Sequence, residues 1–120
     1  MCIRDRNKEV GRIISHETAE KIKNMLVSVV DKGHATEAKV EGYRVAGKTG
    51  TAQIPNQNGG YKEDEFIHSF CGFFPADDPQ YVVLVILDRP KKYKFAATTT
   101  APVFGKLARW LINYSEIRPD

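Results

Sequence analysis

Val45-Ala46-Gly47-Lys48-Thr49-Gly50-Thr51-Ala52-Gln53 sets one cation and two threonine hydroxyls beside two glycines. That combination suits an anion. An ammonium attracts a carboxylate or phosphate as a point charge, the hydroxyls donate hydrogen bonds to it, and glycine lets a ligand approach the backbone N–H groups. Tyr43, Val45, Thr49 and Thr51 are aromatic or β-branched, so residues 43–54 are expected to form a strand lining a cleft. Inside a strand, a lysine among glycines and threonines has no packing role that a β-branched residue would not fill better.

One pattern competes for the same residues. Gly42-Tyr43-Arg44-Val45-Ala46-Gly47-Lys48-Thr49 fits G-x-x-x-x-G-K-[ST], the nucleotide P-loop, letter for letter. A P-loop needs a buried strand before the first glycine and a helix after the lysine. Here Glu37-Ala38-Lys39-Val40-Glu41 is too charged for the strand, and Gly50 and Pro55 stand where the helix should run. A nucleotide-binding module over Gly42 to Thr49 is therefore the alternative, not the preferred reading.

The preferred reading takes Lys48-Thr49-Gly50 as a Lys-Thr-Gly element on a strand, with Gly42-Tyr43 before it and Thr51-Ala52-Gln53 after it. Further on stands Ser69-Phe70-Cys71-Gly72-Phe73-Phe74-Pro75-Ala76-Asp77-Asp78-Pro79. Together these resemble the penicillin-recognising serine acyl-transferases, and among them the class B, monofunctional penicillin-binding proteins, over about residues 9–118. A serine β-lactamase fragment is a weaker option, because the stretch from Gly72 to Pro79 favours a synthase.

The resemblance implies an α/β (α+β) fold, an antiparallel sheet covered by helices on both faces, of which this chain holds helix, three strands and helix. It implies a peptidoglycan D,D-transpeptidase that cross-links stem peptides through a serine acyl-enzyme and is acylated by β-lactams, with the septal type favoured over the elongation type. Lys48 would hold the positive potential of the cleft, Thr49 and Thr51 would bind the carboxylate of D-Ala-D-Ala or of a β-lactam beside Gly50, and the Thr51 N–H would be one oxyanion donor. The parent protein would lie on the extracytoplasmic (periplasmic) face of the cytoplasmic membrane, anchored by an N-terminal segment outside this chain, in a cell-wall synthesis complex. No cofactor, metal or nucleic acid is implied.

The remaining sequence fits a single small domain or part of one. With 120 residues, 42% hydrophobic and 28% charged, the chain has globular composition. A net charge of +3, spread along the chain, gives no nucleic-acid stripe. The longest apolar run, 81–87, is far short of the ~20 residues of a membrane helix. Residues 1–6 have no periodicity and read as a non-native leader, with 7–120 the transpeptidase portion. Cys2 and Cys71 match no metal spacing, and Cys71 reads as a buried small hydrophobe.

Ser15 is expected to cap a helix that buries Ala19, Ile22, Met25, Leu26, Val29 and Val30, keeps Lys21, Lys23 and Asn24 wet, and stops at an αL Gly33. The class B relatives usually carry Gly-Thr-Gly where this chain has Gly33-His34-Ala35. Residues 55–65 read as a surface loop and 66–74 as a strand. Residues 75–79 then turn into 81–87, whose unbroken apolar run predicts cover on both faces. Lys91, Lys92 and Lys94 suit a solvated loop, and Thr98 to Thr100 can cap a last helix with Pro102 in its first turn. Its expected buried stripe is Val103, Phe104, Leu107, Ala108 and Leu111, with Trp110 and Tyr114 packing beside it.

Acyl transfer also needs a nucleophile and a base. Three residues after Ser15, Ser28, Ser69 and Ser115 stand Thr18, Asp31, Gly72 and Arg118, so no serine begins Ser-x-x-Lys, and Ser-x-Asn is missing too. Two of the family's three motifs are expected upstream, and catalysis by this chain alone is not. His16, His34 and His68 share no spacing and read as surface or packing residues. Asp77 and Asp78 read as turn residues.

Overall fold

The computed structural model describes residues 11–119, so the expected leader and Cys2 lie outside the described residues. Helix α1, His16–Asp31, is followed by strands β1, Ala46–Pro55, β2, Tyr61–Phe74, and β3, Tyr81–Asp88, and by helix α2, Thr100–Tyr114. Short 3₁₀ turns at Thr36–Ala38 and Ala96–Thr98 precede β1 and α2. The sheet has order β1-β2-β3, antiparallel throughout, with Gly47 opposite Gly72, Thr51 opposite His68 and Gly72 opposite Val83.

Alternation along the strands divides the side chains between two faces. Phe70 and Phe74 point to the face covered by α2, where they meet Phe104 with ring centroids 4.6 and 5.8 Å away. Val30, Val45, Ala101, Ala108 and Ile112 complete this core. On the other face Leu26 and Val27 of α1 pack with Ala46, Phe73 and Ala76. Helices thus flank both faces, but α1 covers only the β1 end.

Several expectations need correction. β1 begins at Ala46 rather than residue 43, because Tyr43 is held in a turn: its N–H reaches the Val40 carbonyl at 3.2 Å, Gly42 takes φ +80°, and its hydroxyl donates to the Ile117 carbonyl at 2.7 Å. Residues 61–65 belong to β2, because the tight Asn56–Gly60 turn lets the ladder run out to Pro55 opposite Tyr61. β3 is covered on one face, not two: Tyr81, Val83 and Val85 turn inward while Val82, Leu84 and Ile86 are 74%, 57% and 57% exposed. Cys71 shares that open face and is exposed, not buried.

In α1, Ser15 is the N-cap, accepting from the Thr18 N–H at 3.2 Å. Ile22 and Met25 are exposed, whereas Lys23 is largely covered, pairing with Glu20 at 2.8 Å and Asp77 at 3.3 Å. Gly33 is not in the αL region; a Cβ there would lie 2.7 Å from the Val29 carbonyl oxygen, so close approach is what requires glycine. Thr99 is the N-cap residue of α2 but makes no side-chain cap, since its hydroxyl is engaged elsewhere. Val103, Leu107, Trp110 and Tyr114 lie exposed along α2, the last two stacked on each other at 5.3 Å.

Candidate functional site

The site is the outer edge of β1, which pairs on its other side with β2. Gly47 and Gly72 face each other across the ladder, and Cβ atoms there would lie 2.5 Å and 2.9 Å from the Phe70 ring. Two glycines therefore let an aromatic ring lie flat under the strand, which fixes β1 against the core just before Lys48. Gly50 leaves room for the Ser69 hydroxyl, which a Cβ would approach to 2.5 Å.

From this fixed base the next residues alternate. Thr49 and Thr51 share the α2-side face, opposite Phe70 and His68, while Lys48 leaves from the other face, opposite Cys71. The ammonium does not stay there. Lys48 Nζ curls over the strand edge to donate to the Thr49 carbonyl at 2.9 Å, with Thr49 Oγ1 at 3.5 Å. The Thr49 carbonyl is thus turned outward, and because every second residue of a strand repeats the direction of its backbone groups, the Thr51 N–H also faces the open edge. Among the described residues no carboxylate lies in ion-pair reach of Lys48, which leaves its charge uncompensated at an exposed edge.

Beside this edge is a pocket of about 440 Å³ lined by Thr49, Thr51, His34 and residues 95–98. Its far wall is joined to β1 by the Ala96 N–H, which donates to Thr51 Oγ1 at 3.4 Å. A hydroxyl has two acceptor lone pairs and one proton, so Thr51 still has its O–H to give. The arrangement offers an anion one ammonium, two hydroxyls and an outward N–H along a single strand edge.

The structure brings Lys48, Thr49, Gly50 and Thr51 together on one exposed stretch, but Lys48 joins the threonines only by hooking over the edge. His34 and residues 95–98 were not foreseen as pocket walls. His34 stood in the loop that departs from Gly-Thr-Gly, a signal that the position is unusual but silent on where it points. His16 and His34 are exposed, while His68 is fully buried. The P-loop alternative fails on geometry: Lys48 is the third residue of a ten-residue antiparallel strand that runs on to Pro55, where a P-loop lysine would open a helix. Asp77 does more than turn the chain. It pairs with Arg44 and with Lys23, which hold its carboxyl below the usual carboxylate range, the Arg44 hydrogen bond being the larger cause.

A Lys-Thr-Gly strand at the edge of a sheet flanked by two helices defines a class, and the chain belongs to the penicillin-binding protein transpeptidase family, whose domain model matches residues 3–109. The chain is 50% identical over 109 residues to stage V sporulation protein D of Bacillus subtilis, covering 90% of the chain and 17% of that protein. It is 40% identical over 109 residues to a peptidoglycan D,D-transpeptidase FtsI homolog of Chlorokybus atmophyticus, covering 90% of the chain and 16% of that protein. Penicillin-binding protein 3 of Mycobacterium tuberculosis, in a crystal structure with ampicillin, superposes with a TM-score of 0.82 at 35% identity over 91% of the chain and 26% of that structure. The chain thus spans about one sixth of the length of these curated relatives. No helix among the described residues is long and apolar enough to cross a membrane.

Proposed function

We propose that the chain is the C-terminal portion of the transpeptidase domain of a class B peptidoglycan D,D-transpeptidase. A serine supplied from upstream attacks the carbonyl of the penultimate D-Ala and expels the terminal D-Ala, and the amine of a second stem peptide then attacks the resulting ester, forming the cross-link and releasing the serine. This segment contributes the carboxylate clamp and part of the oxyanion site. Lys48 supplies the positive potential and helps keep the serine machinery correctly protonated. Thr49 and Thr51 donate their hydroxyls to the terminal carboxylate beside Gly50, and the Thr51 N–H faces the developing oxyanion. The observation that carries this reading is the exposed β1 edge, where an ammonium with no carboxylate partner among the described residues, two hydroxyls and an outward N–H converge within four residues.

The protein would work on the extracytoplasmic face of the membrane, held by an upstream anchor, within a wall-synthesis complex, and at the septum rather than along the side wall. β-Lactam binding is supported by the related M. tuberculosis protein, whose crystal structures hold ampicillin and aztreonam. Two observations test the reading. The gene upstream of this segment should encode Ser-x-x-Lys and Ser-x-Asn. A fluorescent penicillin should label the full-length protein covalently and leave the 120-residue chain unlabelled. Labelling of the short chain, or an upstream sequence without either motif, overturns it. A fluorescent fusion of the full-length protein spread evenly over the cell surface overturns the septal assignment alone.

A further inference from the structure

We propose that His68 is a positioning residue for the ligand-carboxylate pocket, acting through Thr99 and the Phe95–Ala96 peptide on the hydroxyl of Thr51. The proposal rests on the carboxylate-clamp reading of Thr51 given above.

His68 and Thr99 form a polar pair in an apolar layer. The imidazole is 0% exposed and Thr99 8%, and His68 Nδ1 lies 2.9 Å from Thr99 Oγ1. Thr99 Oγ1 in turn donates to the Phe95 carbonyl at 3.4 Å. With its proton spent there, the hydroxyl receives a hydrogen bond from His68, so Nδ1 carries the hydrogen and Nε2 the bare lone pair. Among the described residues Nε2 has no partner, and it is buried. A buried polar pair with one orphaned nitrogen is a poor device for stability, because an apolar pair of the same shape would cost nothing in desolvation. Its geometry supplies another reason for it.

The Phe95 carbonyl and the Ala96 N–H are the two ends of one peptide group, which is planar and rigid. One end accepts from Thr99 Oγ1 at 3.4 Å and also from Thr98, through its Oγ1 at 3.0 Å and its N–H at 3.2 Å; the other end donates to Thr51 Oγ1 at 3.4 Å. Holding the carbonyl toward Thr98 and Thr99 therefore turns the N–H toward Thr51, and Thr99 is the member of this set that His68 reaches. Once Thr51 Oγ1 accepts that bond, its own proton is directed away from Ala96 and into the pocket, where a ligand carboxylate needs a donor. His68 stands directly opposite Thr51 in the β1–β2 register, so the relay leaves the strand pair at His68 and returns to it at Thr51. Each bond in the series polarises the next in the same sense.

The test uses the full-length protein and benzylpenicillin, either as the free acid or as its methyl ester, which lacks the anionic carboxylate. Wild type is expected to be acylated faster by the acid. His68→Phe, which keeps the ring and loses the hydrogen bond, should shrink the acid-to-ester rate ratio by about two- to fivefold, the lower part of the range for one hydrogen bond, because Thr98 still holds the Phe95 carbonyl. Thr99→Val should match it, and the double variant should be no worse, because both break the same link. His68→Asn, whose amide overlies Nδ1, should restore the ratio, whereas His68→Gln, which overlies Nε2, should not. Hydrogen exchange of the Ala96 amide gives a readout independent of acylation, and protection should fall in His68→Phe and return in His68→Asn. A wild type acylated faster by the acid, with an unchanged ratio in His68→Phe, overturns the relay and spares the proposed function. A wild type acylated by neither compound overturns the proposed function, and unchanged Ala96 protection in His68→Phe then overturns the relay as well.

Discussion

Lys48 is one charge on an exposed strand edge, and its worth depends on how dry the edge becomes when a ligand covers it. A charge-assisted hydrogen bond in such a cleft contributes roughly 1.5–3 kcal/mol, or about tenfold to a hundredfold in affinity. Lys48→Ala in the full-length protein should therefore lose acylation by a β-lactam by at least that factor, and residual binding should depend less on the ligand's carboxylate. An unchanged second-order acylation rate would remove Lys48 from the site. Thr51→Pro should be equally harmful because it deletes the outward N–H, whereas Thr51→Ser keeps both donors and should be mild. Equal rates for the two variants would show that the Thr51 N–H has no part in the reaction. At this scale the sequence points to an anion site, from a lysine with two threonines and two glycines, and the strand it expects for them is present. It did not show that Lys48 leaves from the opposite face and returns over the edge, because that depends on which edge of β1 is open.

At the scale of elements, β1 is positioned from behind and from one end. From behind, Gly47 and Gly72 admit the Phe70 and Phe104 rings; a Cβ on Gly72 would lie 2.8 Å from both the Ala46 carbonyl oxygen and the Phe104 ring. Backbone cannot yield as a side chain tip does, so Gly72→Ala should destabilise by about 1–3 kcal/mol. A melting temperature unchanged from wild type would contradict this packing. At its entry, Arg44 and Lys23 both hold Asp77, which joins α1, the start of β1 and the β2–β3 turn. Because the folded carboxyl titrates below its ordinary 3.8, this contribution is present above that pH and is lost as the pH falls through the lower folded value. Lys23 is raised above its ordinary 10.5, chiefly by Glu20, so its share is present below 10.5 and fades as the pH rises through the folded value. Asp77→Asn should lower the melting temperature at pH 7, and the gap to wild type should close below pH 3.8. A gap independent of pH would show that the charge is not what Asp77 contributes. Sequence read Asp77 as a turn residue, which it is; its partners lie 33 and 54 residues away in the chain, beyond the reach of any local pattern.

For the molecule as a whole, the open face of β3 is the feature with consequences. Val82, Leu84 and Ile86 stand exposed on one side, and among the described residues the strand pairs only with β2. Covering a Val, Leu or Ile side chain is worth roughly 1.5–3 kcal/mol, so three uncovered residues forgo a large share of a domain's ~5–15 kcal/mol. An unpaired apolar edge is also a template for another chain. The 120 residues expressed alone should therefore associate or melt without cooperativity. A monodisperse monomer in size-exclusion chromatography with a cooperative melt above ~50 °C would contradict this. The sequence by itself determined the element order, the antiparallel hairpin 66–74 with 81–87, the Ser15 cap and the strand that carries Lys48, Thr49 and Thr51. Those follow from periodicity, turn residues and side-chain chemistry, which are local. Only the tertiary structure decided which apolar residues are covered. β3 and α2 are apolar on more sides than their neighbours here can occupy, so Val82, Leu84, Trp110 and Tyr114 stay open while a histidine and two threonines, His68, Thr99 and Thr100, are buried. Burial is settled by what packs against a residue, and hydrophobicity along a chain cannot name that partner.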